Sequence, residues 1–277
     1  MSDPRIDGLI SEAKTLRYSR RQVMRRAAAG GVDVIALTDH DDVAGLDEAR
    51  AAAREAGIEF IDGCEISVTW EGDTVHVVGL GIDPANADLG EGLASVRTGR
   101  DARARKIGES LERAGIPGAL DGALAYVTSE RLISRTHFAR FLIEAGHVRD
   151  MKDAFKRYLS AGKPGYVPHA WAPLARAVDW IHGAGGQAVI AHPGRYRLTP
   201  AELRTLIGEF RDLGGDALEI VSPSHAPAEY ASFAAIARTH GLKGSCGTDF
   251  HGPGESRFDF GELPPLPAGV DPVWSDW

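Results

Sequence analysis

Six side chains stand where short apolar runs of this sequence give out: His40, Glu65, His76, His192, Asp249 and His251. Imidazole and carboxylate are donors suited to divalent metal ions, and no cysteine is among the six, which argues against a closed structural zinc site. Each alone has an ordinary explanation. A histidine at a strand end is more often a hydrogen-bonded structural residue than a ligand. Asp39 and Asp41, which bracket His40, would equally serve to cap the helix after them. The six become a site only if the fold carries them to one place. Parallel strands do that, because they deliver their C-terminal ends to one rim.

The elements that must position them read as alternating helix and strand. Residues 20–29 form an amphipathic helix closed by Gly30-Gly31, followed by a strand over 32–37 that runs into Thr38-Asp39-His40-Asp41. A helix over 43–56 ends at Gly57, and a strand from 58 continues through Gly63-Cys64-Glu65. After the turn at Glu71-Gly72-Asp73, residues 74–80 alternate like a hairpin partner and place His76 within them. From about 89 to 159 the pattern is helical and charged, with no convincing strand, and it closes on the loop 162–168. Alternation then resumes: helix 173–184, strand 187–191, helix 199–213, strand 217–221, helix 226–240 and strand 242–246. Six strands are clear, and a seventh is weakly suggested at Arg5-Ile6-Asp7. The pattern predicts an α/β protein of the (β/α) barrel kind, a discontinuous barrel from 1–89 and 169–277 with an all-helical insertion at 90–168.

Composition narrows the partners. The 277 residues carry a net charge of -8, with 25% charged and 43% hydrophobic residues, ordinary for a globular chain and contrary to a broad duplex nucleic-acid surface. No run is long or apolar enough to span a membrane, and no signal-peptide core opens the chain. Two cysteines, Cys64 and Cys246, are too few for a disulfide framework; the expectation is a reducing cytoplasm, with both thiols serving packing.

Thr38-Asp39-His40-Asp41, Glu65, His76 in Val-His-Val-Val-Gly, His192 in Ala-His-Pro-Gly-Arg, and Asp249-Phe250-His251 together resemble the polymerase-and-histidinol-phosphatase (PHP) phosphoesterases over roughly residues 20–265. The subgroup most similar acts on nucleoside 3',5'-bisphosphates. The resemblance implies a distorted (β/α)7 barrel holding up to three metal ions, usually manganese, on His40, Glu65, His76, His192, Asp249 and His251. It implies a metal-activated hydroxide held by Glu65, His192 and Asp249 that attacks phosphorus. The insertion, with Arg135 and His137, and the loop with Lys163 are similar to that subgroup's substrate cap. With Arg195, these are the expected phosphate contacts, and Tyr166 or Phe138 the expected stacking partner of a base. His147, His169, His182, His225 and His240 are read as structural or surface residues, His225 least firmly.

One departure is sharp. The family opens with a strand ending in a His-x-His pair and, a few residues on, an Asp; here the stretch 6–18 holds no histidine, and His40 is the first in the chain. A change so local and complete has the form of a reading-frame slip. By ligand count only the position using Glu65, His76 and His192 stays whole, so fewer than three ions and low turnover are expected. Three readings follow: a phosphatase of nucleoside 3',5'-bisphosphates; a 5'-to-3' exonuclease on short 5'-phosphorylated oligonucleotides; and a metal-depleted barrel that binds a nucleotide without turning it over.

Overall fold

The computed structural model of the chain describes residues 19–127, 133–252 and 256–277. The first helix, α1 (Arg20–Ala29), starts on a capping box in which Ser19 Oγ accepts from the Gln22 N–H and the Gln22 side chain accepts from the Ser19 N–H. After it come β1 (Val34–Leu37), α2 (Leu46–Ala56), β2 (Glu59–Trp70) and β3 (Asp73–Leu80). The helical stretch comprises α3 (Ala87–Arg113), α4 (Ala119–Leu124), α5 (Arg135–Glu144) and α6 (Met151–Ala154), the last running into a π-helical turn at Phe155–Leu159. The remainder is β4 (Ala172–Pro173), α7 (Leu174–Gly183), β5 (Gln187–Ile190), α8 (Pro200–Asp212), β6 (Ala217–Val221), α9 (Pro227–His240) and β7 (Lys243–Cys246).

The strands form one curled sheet in the order β1-β2-β3-β5-β6-β7, with β4 beside β2. The fold is α/β, as the sequence pattern implies, but the sheet is mixed. β3 runs antiparallel to both β2 and β5, while β1–β2 and β5–β6–β7 are parallel. The cause is local: Glu71 and Gly72 sit at φ 47° and 87°, the backbone of a two-residue hairpin turn, so the chain reverses without a crossover helix. The outer edge of β2 is taken in turn by β1, by a single bridge between His40 and Glu65, and by β4. The two-residue β4 falls where the sequence reads only as the start of a helix. Among the described residues, β1 pairs only with β2 and the sheet does not close onto β7; the strand suggested at residues 5–7 lies outside the described residues.

The main core lies between sheet and helices, built from Ile66, Val68, Val77, Ile190, Leu218 and Ile220 against Val178, Ile181, Leu206, Phe210 and Ala234. α3 belongs to two cores. Its first turns place Leu89, Leu93 and Val96 in the main core, whereas Ala104, Ile107 and Leu111 pack with Phe138, Leu142 and Leu159 in a second cluster of the helical stretch. The helical stretch is therefore anchored by a helix whose first turns belong to the main core. Among the described residues no helix is long and apolar enough to cross a membrane.

Candidate metal centre

Glu65 lies midway along β2 and is almost fully buried. Its N–H donates to the Asp39 carbonyl (3.0 Å) and its carbonyl accepts from the Asp41 N–H (2.8 Å), so the chain beyond β1 stays zipped to β2 and sets His40 beside it. The next residue is held hard. Asp41 is fully buried at φ 50°, and its carboxylate accepts from the Ser67 N–H (2.7 Å) and Ser67 Oγ (3.0 Å) and pairs with Arg100 of α3. Arg97 Nη1 donates to the Asp41 carbonyl (2.6 Å). Neither Asp39 nor Asp41 caps α2, whose N-cap is Gly45; Asp39 pairs with Arg20 instead.

His76 stands opposite Ser67 across the β2–β3 pair, and cross-strand partners share a face, so it emerges on the face that carries Glu65. Tyr196 fixes it: the Tyr196 hydroxyl accepts from the His76 N–H (2.8 Å) and donates to the Ala191 carbonyl (2.8 Å). His192 follows β5 at φ 28°, its N–H donating to Glu219 of β6 (2.5 Å). Behind it, His225 Nε2 accepts from the Gly194 N–H (3.0 Å), which leaves the Nδ1–H to donate to the Ile220 carbonyl (2.8 Å). His225 is thus structural, a brace for the His192 turn. Asp249, after β7, is at φ 45°. Among the described residues, three of the four non-glycine residues at positive φ thus sit at or beside this centre, where strain is held by the surrounding contacts.

The donor atoms converge on Glu65. Its Oε1 lies 2.8 Å from His76 Nδ1 and 3.0 Å from His192 Nε2, which are 3.4 Å from each other; its Oε2 lies 3.2 Å from His40 Nδ1. Two overlapping triads, His40–Glu65–His76 and Glu65–His192–Asp249, have donor atoms within 4.8 Å of one another. The His251 ring is 5.9 Å from that of His40, and its Nδ1 is 3.4 Å from Asp249 Oδ1.

Electrostatics suits a cation. Burial would push the Glu65 carboxyl up, but the neighbouring His40 and His76 and the bond to His192 outweigh it and hold it well below the usual carboxylate range. Burial brings His40 down to about 4, so its ring is neutral at pH 7 and free to ligate. His192 goes the other way: burial alone would lower it, but Glu65 raises it. His40 Nδ1 and His192 Nδ1 are buried without a hydrogen bond. Mutually close donors, with the unbonded His40 Nδ1 among them, fit a divalent ion, for which separations of about 3 Å are those of ligands at about 2.1 Å.

All six predicted ligands line one cavity, together with Arg135, His137 and Arg195. Arg195 Nη1 lies 3.3 Å from Asp249 Oδ2. His137 Nδ1 accepts from the Ser134 N–H (2.9 Å), capping α5, and burial lowers its pKa to about 4. Lys163 is elsewhere, exposed in the loop and off the cavity wall, and Tyr166 is also off it. Phe138 is fully buried in the insertion's own core and cannot stack on a base. Two residues escaped the sequence reading. Glu219 lines the cavity, and its Oε1 comes so close to Gly247 that a β-carbon there would lie 2.5 Å away. Its signal was a lone carboxylate in an otherwise apolar, fully buried strand. Trp171, the other, follows a loop without periodicity.

Residues 18–216 match the PHP domain. The chain belongs to the PHP family. The match starts beyond most of the stretch that lacks the His-x-His pair. A 3',5'-nucleoside bisphosphate phosphatase of Chromobacterium violaceum is 51% identical to this PHP chain over 255 residues, 92% of the chain and 90% of the relative. A 5'-3' exoribonuclease of Escherichia coli is 43% identical over 257 residues, covering 92% and 87%. An amidohydrolase of Chromobacterium violaceum, solved with bound sulfate and no metal, superposes with a TM-score of 0.89 at 50% identity, covering 93% of this chain and 90% of that one.

Proposed function

We propose that this PHP chain hydrolyses a phosphate monoester of a nucleoside 3',5'-bisphosphate. As a PHP member it is a phosphate-ester hydrolase; the proposal concerns the ester and the ions. The observation that carries it is the convergence of His40, His76, His192 and Asp249 on buried Glu65, in a cavity that also carries arginines of the insertion. Divalent ions, manganese first among them, would be held by these residues with His251 completing the rim. When bound, such an ion supplies Lewis acidity, drawing charge from the phosphoryl oxygens and lowering the pKa of a coordinated water.

The side chains divide the remaining work. Glu65, kept ionised, brings negative charge to the ligand set, and neutral His40 brings lone pairs at neutral pH. Arg195, beside Asp249 and half exposed, is placed to meet a phosphoryl oxygen entering the rim. Arg135 and His137 sit on the wall contributed by the insertion, away from the strand ends, where the second phosphate would lie. Two free cysteines and the absence of any apolar spanning helix among the described residues suit a cytoplasmic enzyme with a small nucleotide substrate.

The second reading, a 5'-to-3' exonuclease, is favoured by the 43% relative. The two separate in one assay: phosphate release from adenosine 3',5'-bisphosphate against stepwise shortening of a short 5'-phosphorylated RNA, at equal concentrations with manganese present. The expected result is the higher kcat/KM on the bisphosphate. Faster release of mononucleotides from the RNA would establish the exonuclease instead.

A further inference from the structure

Glu219 touches the metal centre without belonging to either triad. It is the single acid of β6, a strand whose five residues are all buried, and β6 is the middle member of the parallel trio β5–β6–β7. His192 comes just after the strand on one side of it, and Asp249 follows the strand on the other.

The Glu219 carboxylate is divided between those two neighbours. Oε2 accepts from the His192 N–H (2.5 Å). Oε1 faces the chain just beyond β7, where a β-carbon on Gly247 would stand 2.5 Å away. Gly247 does not have a positive φ, so what makes glycine necessary there is room for the carboxylate. The register of β6 against β7 shifts between Glu219 and Val221, an irregularity of the kind that re-aims a side chain beside a site. The Val221 carbonyl then accepts from the Gly247 N–H (3.1 Å), so β6 meets Gly247 through its backbone as well as through Glu219.

Both ligand candidates that flank Glu219 have left-handed backbone, His192 at φ 28° and Asp249 at φ 45°. Such backbone persists where the contacts around it over-determine it. The backbone in turn aims the donor, and groups that orient ligands from behind tune metal affinity.

We propose that Glu219 is a positioning residue of the metal centre. Its carboxylate sets the separation of His192 from Asp249, holding the His192 N–H with one oxygen and filling the space over Gly247 with the other. It acts as an acceptor of fixed reach and not as a ligand. Its consequence for metal rests on the functional reading above; its hold on His192 does not.

The test compares the full parent chain with three variants, each verified by thermal melting. Glu219→Gln keeps the shape and one acceptor oxygen, and Glu219→Leu removes the acceptor. Gly247→Ala presses on the carboxylate without altering it, so its result stands even where Glu219→Leu does not fold. Exchange of the His192 amide proton is followed by nuclear magnetic resonance in the chain stripped of metal with EDTA. The expected result is slow exchange in the parent and in Glu219→Gln. Glu219→Leu should exchange at least about 10-fold faster, as loss of one hydrogen bond to a charged acceptor implies. Manganese affinity, measured by equilibrium dialysis, should fall about 10- to 100-fold in Glu219→Leu and in Gly247→Ala, the span typical of groups behind a ligand. Glu219→Gln should recover most of that loss. A His192 amide that exchanges as fast in the parent as in Glu219→Leu would overturn the hold. Parent-like manganese affinity in Glu219→Leu or in Gly247→Ala would reduce Glu219 to a structural acid. A loss in Glu219→Gln as large as in Glu219→Leu would make it a charge or a ligand, and each of these results overturns positioning. A parent chain that binds no manganese counts against the functional reading alone, and the amide exchange still decides whether Glu219 holds His192.

Discussion

At the scale of single residues, what matters is which groups are kept charged, kept neutral or kept unreactive. Glu65 and His40 are tuned for ligation; the two cysteines are tuned against reaction. Burial pushes Cys64 up to about 12, and burial, then Glu219, does the same to Cys246. An unfolded thiol ionises near 8.5. At pH 8.5 about half of it is thiolate, against ~1 part in 3,000 for a thiol at 12. Iodoacetamide at pH 8.5 should therefore label neither cysteine in the native chain within the time that labels both in urea. Rapid native labelling of Cys64 would contradict its placement. The sign for stability follows: the raised folded pKa makes this contribution complete below about pH 8.5 and lost progressively as pH rises toward 12. The six ligand candidates were legible because each interrupts an apolar run with a donor. Lys163 lies exposed and off the cavity wall, in the loop 162–168, which has no periodicity to fix its facing. Glu219 was overlooked because a single acid inside five buried residues reads as noise until the sheet shows what lies beside it.

At the scale of elements, the decisive joint is between α3 and the loop after β1. Arg100, buried on α3, reaches Asp41 and Ser67 and lies 4.7 Å from the centre of the Trp171 ring. It ties the insertion's first helix to the residue that follows His40. Replacing one member of a buried pair strands the other charge, so Arg100→Met should cost about 3–5 kcal/mol in urea unfolding. It should also weaken metal retention, since Asp41 at φ 50° no longer holds the turn that aims His40. A cost below about 1 kcal/mol with unchanged metal would show that this joint is incidental. Helix and strand positions in this region were readable from periodicity and glycine stops, to within a few residues. The α2 start was not: it comes at Leu46 because Asp42 Oδ1 accepts from the Val43 and Ala44 N–H groups and turns 42–45 into a loop. The direction of β3 was set by Glu71-Gly72, which the sequence did signal as a hairpin.

At the scale of the whole molecule, the chain separates two fields within a net charge of -8. One side of the cavity gathers Glu65, Glu219 and Asp249 among histidines, and the helical stretch contributes arginines to its lining. The bisphosphate proposed as substrate would match that polarity with cations held on the acidic side. That His40, His192 and Asp249 would stand beyond strand ends was legible from the repetition of strand and polar end, whereas Glu65 and His76 lie within β2 and β3. That the arginine lining includes Arg103 was not, because α3 is charged on most sides and only its contact with Trp171 selects the inward one. The central claim is that Glu65 is the hub on which metal binding depends, even without a His-x-His pair ahead of it in sequence. It is tested most directly by manganese content, measured by elemental analysis after equilibrium dialysis at one fixed free manganese concentration, for the parent chain and for Glu65→Gln with its fold checked by circular dichroism. The expected result is at least one manganese per parent chain and close to none in Glu65→Gln. A parent chain that holds no manganese, or a folded Glu65→Gln that holds as much as the parent, would contradict it.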